Sequence, residues 1–64
     1  MPKGFYRDIA RILAEHGFAR VKGGKGSHEK WRNDRSITVT VPHNLYSRHT
    51  ANTVLKEAGI DRKL

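Results

Sequence analysis

The segment from Ser36 to Val41 alternates strictly between polar and apolar residues, which predicts a β-strand with one buried and one exposed face. Such a strand belongs to a sheet that is covered on one side only. Pro42 lacks a backbone N–H and is expected to end the strand. The apolar positions of this strand are Ile37, Val39 and Val41.

The preceding segment, His28 to Arg32, is predicted to form a hairpin with this strand around Asn33-Asp34-Arg35. Directly opposed residues of an antiparallel pair share a face, so the turn length decides which side chains enter the core. A two-residue turn would pair Lys30 with Ile37 and bury a charge. We therefore expect a three-residue turn, which pairs Trp31 with Ile37 and directs Trp31 inward. The exposed face then carries His28, Lys30, Arg32, Thr38 and Thr40.

The chain before the hairpin has helical periodicity. A first helix is expected from about Gly4 to His16, with His16 helping to cap its last carbonyls and Gly17 ending it. A short strand from Phe18 to Lys22 follows. The apolar stripe of this helix consists of Phe5, Ile9, Ile12 and Leu13.

A second helix is expected from about Arg48 to Ala58, with Ser47 as its N-cap and Gly59 as its end. The terminal residues Asp61 to Leu64 are expected to fray. Two amphipathic helices can cover one face of a three-stranded sheet. The predicted fold is therefore α+β, ordered helix-strand-strand-strand-helix, with an antiparallel sheet and both helices on one face. The second apolar stripe consists of Ala51, Val54, Leu55 and Ala58.

Size and charge narrow the class of protein. The 64 residues are expected to form one domain over residues 1–64, and the absence of cysteine excludes disulfides and thiolate metal sites. No hydrophobic leader or membrane span is apparent, so a cytoplasmic location is expected. Thirteen Lys and Arg against six Asp and Glu give a net charge of +7. Nucleic acid or an acidic protein is the expected partner, although a basic surface that only aids solubility would have the same composition.

The loop from Lys22 to His28 is rich in glycine and lysine and leads directly into the predicted hairpin. Gly23, Gly24 and Gly26 permit close backbone approach, and Lys22 and Lys25 supply charge for a phosphate. Histidine titrates near neutral pH, so His28 is the natural candidate for moving a proton there. The alternative is an ordinary mobile connection between strands.

Other residues have weaker functional signals. His43, after the third strand, could contact RNA or be an ordinary exposed histidine. Tyr46 could contact RNA or a partner protein. His49 with Arg48 could meet a phosphate at the second helix or simply face solvent. Trp31 could stack on a base, but core packing is favoured. No pair of histidines has a tight metal-ligand spacing with a carboxylate, so neither a metal nor a cofactor is expected.

The motif Gly26-Ser27-His28-Glu29-Lys30-Trp31, followed by Thr38-Val39-Thr40-Val41-Pro42, resembles the HicA family of small toxins. The later segments Ser47-Arg48-His49-Thr50-Ala51-Asn52 and Leu55-Lys56-Glu57-Ala58-Gly59-Ile60 extend the resemblance over nearly the whole chain. The resemblance implies a fold like that of double-stranded-RNA-binding domains. It also implies a ribosome-independent mRNA interferase, which is an endoribonuclease toxin, and neutralisation by an acidic HicB-type antitoxin.

The resemblance places the family's histidine at His28, which is the expected catalytic residue of a metal-free cleavage of single-stranded mRNA. A non-catalytic RNA-binding module of the same fold is the main alternative, and a silent homologue that binds an acidic partner is another. The expected RNA-binding residues are Lys22, Lys25, Gly26, Ser27, Lys30, Arg32 and His43. The expected antitoxin-binding residues are Lys25, His28, Lys30, Arg32 and Tyr46.

Overall fold

The computed structural model describes residues 4–22 and 28–64, which form two helices and three strands. The order of these elements and their antiparallel pairing confirm the predicted helix-strand-strand-strand-helix fold. No helix in the described parts of the chain is long and apolar enough to cross a membrane. In chain order the elements are α1 (Tyr6–Glu15), β1 (Ala19–Val21), β2 (His28–Arg32), β3 (Thr38–Pro42) and α2 (Arg48–Glu57).

The sheet has the order β1-β2-β3, so β2 is its central strand. The predicted pairing of Trp31 with Ile37 is wrong, because Trp31 lies opposite Val39 and Lys30 lies opposite Thr40. The register is shifted by two residues, and a shift of two keeps every side chain that remains in the strands on its predicted face. Ile37, expected in the core, instead lies in the loop with 38% of its surface exposed.

A five-residue loop, 33–37, replaces the predicted three-residue turn. Asn33 organises the loop, because its Oδ1 accepts hydrogen bonds from the backbone N–H groups of Arg35 at 3.0 Å and Ile37 at 2.9 Å. Ser36 has a φ of 64°, which reverses the chain within the loop. Asparagine is suited to this bonding because its short amide reaches its own following backbone. The strand thus begins at Thr38 rather than Ser36 and includes Pro42.

Both helices pack against the face of the sheet that carries Val39 and Val41. The apolar stripes predicted for the two helices point into this core, with Phe5 only partly buried at its margin. The connecting segments add further apolar side chains. The core consists of Ile9, Ile12, Leu13, Phe18, Val39, Val41, Leu45, Ala51, Val54, Leu55, Ala58 and Ile60.

Three of the four helix ends lie within one residue of the predictions, whereas α1 begins at Tyr6, two residues after the predicted start at Gly4. Nδ1 of His16 lies 2.9 Å from the carbonyl of Ile12, where it caps α1, and Gly17 continues with a φ of 83°. The hydroxyl of Ser47 accepts a hydrogen bond from the Thr50 N–H at 3.3 Å at the start of α2. Gly59 ends α2 with a φ of 75°, a backbone conformation that glycine adopts without steric cost.

The expectation of a frayed terminus is wrong. The backbone N–H of Leu64 donates to Oδ1 of Asn52 at 2.8 Å, and the Leu64 side chain packs against the core. Arg62 also lies 3.5 Å from the carboxylate of Glu15. The chain therefore runs back along α2 after Ile60, which is itself buried.

Candidate nucleic-acid interface

The face of the sheet opposite the helices is open to solvent and basic. His28, Lys30 and Arg32 alternate along β2 on this face and are all exposed. Their partners on the neighbouring strands are small or uncharged, and none of the described strand positions on this face is acidic. Such a surface favours a polyanion. The open face consists of Ala19, Val21, His28, Lys30, Arg32, Thr38, Thr40 and Pro42.

His28 is the first residue of β2 and lies opposite Pro42 of β3. Lys30 and Arg32 follow at intervals of roughly 6.6 Å, the repeat of alternate residues in a strand. The side chain of Arg32 is held at the far end of this row by a 3.1 Å hydrogen bond to the hydroxyl of Ser36. The three side chains therefore form a straight row of cationic and titratable groups.

Only part of the predicted loop site lies within the described residues. Lys22 follows β1 directly and is exposed. The predicted positions Lys25, Gly26 and Ser27 lie outside the described residues. The structure thus brings together His28, Lys30 and Arg32, and puts Lys22 beyond the end of the neighbouring strand.

A buried carboxylate lies on the opposite side of β2, directly after His28. Glu29 is only 9% exposed, and its carboxylate accepts hydrogen bonds from three side chains. The hydroxyl of Tyr6 in α1 donates to Oε1. Arg20 in β1 donates to Oε2 at 2.9 Å, and Nε2 of His43, just after β3, lies 2.6 Å from the same oxygen. One carboxylate therefore joins all three strands to the first helix.

Burial and hydrogen bonding act in opposite directions on this carboxylate. Burial alone would raise the pKa of Glu29, but hydrogen bonds from Tyr6, His43 and Arg20 outweigh it and lower the pKa to about 2. Burial, together with the hydrogen bond to Glu29, raises the pKa of Tyr6. At neutral pH the cluster therefore contains an anionic Glu29 and a neutral Tyr6.

His43 and Tyr46 lie apart from the row on the open face. His43 is turned toward Glu29, and its ring meets the ring of Tyr6 edge-on, with centroids 5.0 Å apart. Tyr46 is 60% exposed beside the start of α1. The two side chains share an open cleft of about 500 Å³ on the helix side. The lining of this cleft consists of Gly4, Phe5, Tyr6, Arg7, Asp8, His43 and Tyr46.

The remaining candidates lie elsewhere. Trp31 is on the helix-facing side of β2, packs against the core and is half-buried, which agrees with the expectation of core packing. Its indole N–H is buried and has no hydrogen-bond partner among the described residues. The guanidinium of Arg48 lies 6.0 Å from the centre of the Phe5 ring, and His49 is exposed on α2. Within residues 4–22 and 28–64, no three His, Asp or Glu side chains are grouped as metal ligands.

Sequence reasoning missed the cluster around Glu29. A signal was present, because Glu29 is two residues from Trp31 and must share its inward-facing side. An inward-facing carboxylate is rarely buried without partners. The partners Tyr6 and Arg20 carry no comparable local signal, since only the folded chain brings them to Glu29.

Comparison with known proteins gives two matches. The family model for the HicA toxins of bacterial toxin–antitoxin systems matches residues 6–60. A solved toxin–antitoxin complex from Streptococcus pneumoniae contains a chain that is 30% identical and superposes with a TM-score of 0.75, and the alignment covers 84% of this chain and 93% of that chain. No curated protein sequence gives a significant match.

Proposed function

This chain belongs to the HicA family of bacterial toxin–antitoxin systems, and from that premise we propose that it is an endoribonuclease that cleaves single-stranded mRNA with His28 as its catalytic residue. One observation supports this best. His28 is an exposed histidine at the head of a row with Lys30 and Arg32, on a sheet face whose described strand positions include no acid. A phosphate backbone can lie along such a row with its scissile group at the histidine.

The proposed chemistry uses the RNA as its own nucleophile. The neutral imidazole of His28 removes the proton of the 2′-hydroxyl, and the 2′-oxygen attacks the adjacent phosphorus. The bond from phosphorus to the 5′-oxygen breaks, which leaves a 2′,3′-cyclic phosphate and a 5′-hydroxyl end. Lys30 stabilises the charge that develops on the phosphate. The leaving 5′-oxygen takes a proton from Lys30 or from water. No step in this scheme requires a metal ion.

An antitoxin is the proposed protein partner. The similar structure from Streptococcus pneumoniae is a toxin–antitoxin complex, and this chain carries a net charge of +7. We propose that an acidic HicB-type antitoxin covers the open face and contacts Lys25, His28, Lys30 and Arg32. Tyr46, exposed on the helix side, adds an aromatic contact where the antitoxin extends past β3.

The test is cleavage of a labelled single-stranded RNA by the purified protein with excess EDTA present. We expect cleavage by the wild type and by His16→Ala, a matched control at the end of α1, and none by His28→Ala. The His28→Ala variant should stay folded, because an exposed strand side chain contributes little to stability. Equal cleavage by His28→Ala and wild type would overturn the assignment of His28. Loss of cleavage on adding EDTA alone would overturn metal independence.

The basic open face by itself also fits a second function, a non-catalytic RNA-binding module. This alternative predicts that the wild type binds the labelled RNA and leaves it intact, with or without added divalent metal. The same cleavage assay therefore distinguishes the two functions.

A further inference from the structure

Glu29 lies beside His28 in β2, but its side chain points to the other face of the sheet. We propose that Glu29 is a positioning residue: its carboxylate fixes the start of β2 and thereby holds His28 in place for reaction. This inference rests on the proposed function, because it assigns Glu29 a purpose in the reaction of His28. It concerns a residue that does not touch the substrate.

His28 is the first residue of β2, and the described pairing at this end of the strand is limited. Pairing between β1 and β2 extends only from Ala19 to Val21, and Val21 lies opposite Lys30, so no described residue of β1 lies opposite His28. On the other side His28 faces Pro42 in a pair that exchanges no main-chain hydrogen bond, because Asn33 donates to Ile37 and the bonded pairs of this ladder alternate from there. The nearest hydrogen-bonded pair of this ladder is Glu29 with Val41, so among the described residues this strand end is held at Glu29.

The Glu29 side chain adds further restraints at this position. Its carboxylate is bonded to Tyr6 of α1, to Arg20 of β1 at 2.9 Å and to His43 after β3 at 2.6 Å. Three donors from three separate segments leave a carboxylate little freedom to rotate or shift. Because adjacent residues share a peptide unit, holding Glu29 also limits the movement of the His28 Cα atom.

The remaining contacts of the cluster indicate that it holds β2 rigidly and is not a second reaction centre. Tyr6 also meets the ring of His43 edge-on at 5.0 Å, so two of the three donors pack against each other. Glu29 itself is 9% exposed and faces the helix layer. The carboxylate therefore acts on the reaction only through the position of β2.

Glu29→Gln keeps the size of the side chain and removes its charge, and Glu15→Gln is the matched control. Glu15 forms an exposed ion pair with Arg62 at 3.5 Å and ends α1, which packs on the covered face of the sheet. We expect Glu29→Gln to keep the wild-type Kd for a non-cleavable 2′-O-methyl RNA. Its single-turnover cleavage rate should fall by on the order of 10²-fold, because a small displacement of a reacting group has effects of this size. Glu15→Gln should match the wild type in both measurements.

Unchanged cleavage by Glu29→Gln would overturn the proposal. A rise in Kd that accounts for the whole loss of rate would also overturn it, because positioning of His28 affects reaction and not binding. If thermal melting shows that Glu29→Gln is unfolded, Tyr6→Phe takes its place. Tyr6→Phe removes one of the three donors and keeps the ring, so a smaller loss of rate at constant Kd is expected. Wild-type cleavage by Tyr6→Phe would then overturn the proposal.

A structural measurement separates failure of this inference from failure of the proposed function. Directly opposed residues bring their side chains within about 5 Å, so nuclear Overhauser effects between the His28 ring and Pro42 report the position of His28. We expect these signals to weaken in Glu29→Gln and to persist in Glu15→Gln. If they persist in Glu29→Gln, Glu29 does not position His28. This result stands whether or not the wild type cleaves RNA.

Discussion

Glu29 is a charged side chain in a largely buried position, and its three donors explain how it stays ionised there. Taking a carboxylate out of water is costly unless its oxygens are hydrogen-bonded. Tyr6, Arg20 and His43 provide those bonds, and the side chains of Arg20 and His43 remain 64% and 48% exposed. The same bonds make the charged form of Glu29 part of the folded structure.

The cluster predicts how stability depends on pH. The pKa of Glu29 is lowered from 4.5 to about 2 on folding. The ionised carboxylate therefore contributes fully to the free energy of unfolding above pH 4.5, and this contribution is lost as the pH falls toward 2. Because water screens the charges of Arg20 and His43, we expect the Glu29 carboxylate to contribute about 1–3 kcal/mol to the free energy of unfolding. Urea unfolding should give the wild type a higher free energy of unfolding than Glu29→Gln at pH 7. The difference between the two proteins should be smaller near pH 2 by about 1–3 kcal/mol. A gap that is constant with pH would contradict this prediction.

At the scale of secondary structure, β2 carries the two parts of the site on its two faces. Side chains alternate along a strand, so His28, Lys30 and Arg32 face solvent while Glu29 and Trp31 face the helices. The outward residues are available to a ligand, and the inward residues tie the strand to the rest of the molecule. A central strand is suited to this arrangement, because both of its edges are paired over most of its length.

The outward row predicts the salt dependence of RNA binding. Replacing Lys30 and Arg32 by alanine should lower the affinity for 2′-O-methyl RNA and reduce the slope of log K against log salt by about 1.4, or 0.7 for each lost phosphate contact. The control double variant Lys56→Ala and Lys63→Ala removes the same charge from α2 and the terminal segment. Fluorescence anisotropy at several salt concentrations measures both slopes. Equal reductions in the two double variants would indicate attraction by net charge alone.

At the scale of the whole molecule, the layer arrangement leaves one face of the sheet uncovered. Both helices pack on the face that carries Val39 and Val41, so the basic face has no covering element among the described residues. Because the chain has a net charge of +7 and no helix covers this face, it is the surface that we propose for both RNA and an acidic antitoxin. Two ligands that use one surface exclude each other.

Competition between RNA and antitoxin is therefore the expected form of control. Adding a HicB-type antitoxin to the complex with 2′-O-methyl RNA should release the RNA in proportion to antitoxin bound, because we propose that both occupy the row from His28 to Arg32. Size-exclusion chromatography with separate labels on the RNA and the antitoxin follows the exchange. A stable ternary complex at saturating concentrations would instead place the antitoxin on another surface.

Much of this protein was predictable from local sequence patterns. The helical periodicity gave both apolar stripes, and Ser47, Gly17 and Gly59 marked helix ends through their own chemistry. The alternation along the strands placed His28, Lys30 and Arg32 together on the open face. These features depend on residues within a few positions of each other, so the sequence alone determines them.

Only the tertiary structure decided the features that depend on distant residues. The two-residue shift of the hairpin register is different, because its cause is local: the amide of Asn33 and the left-handed backbone of Ser36 form a longer loop than the predicted turn. Leu64 docks because Asn52 and the core meet it after the chain turns back. Tyr6, Arg20 and His43 reach Glu29 from 23, 9 and 14 residues away. Periodicity along the chain records which face a residue takes, whereas packing of the elements determines which residues from separate segments meet there.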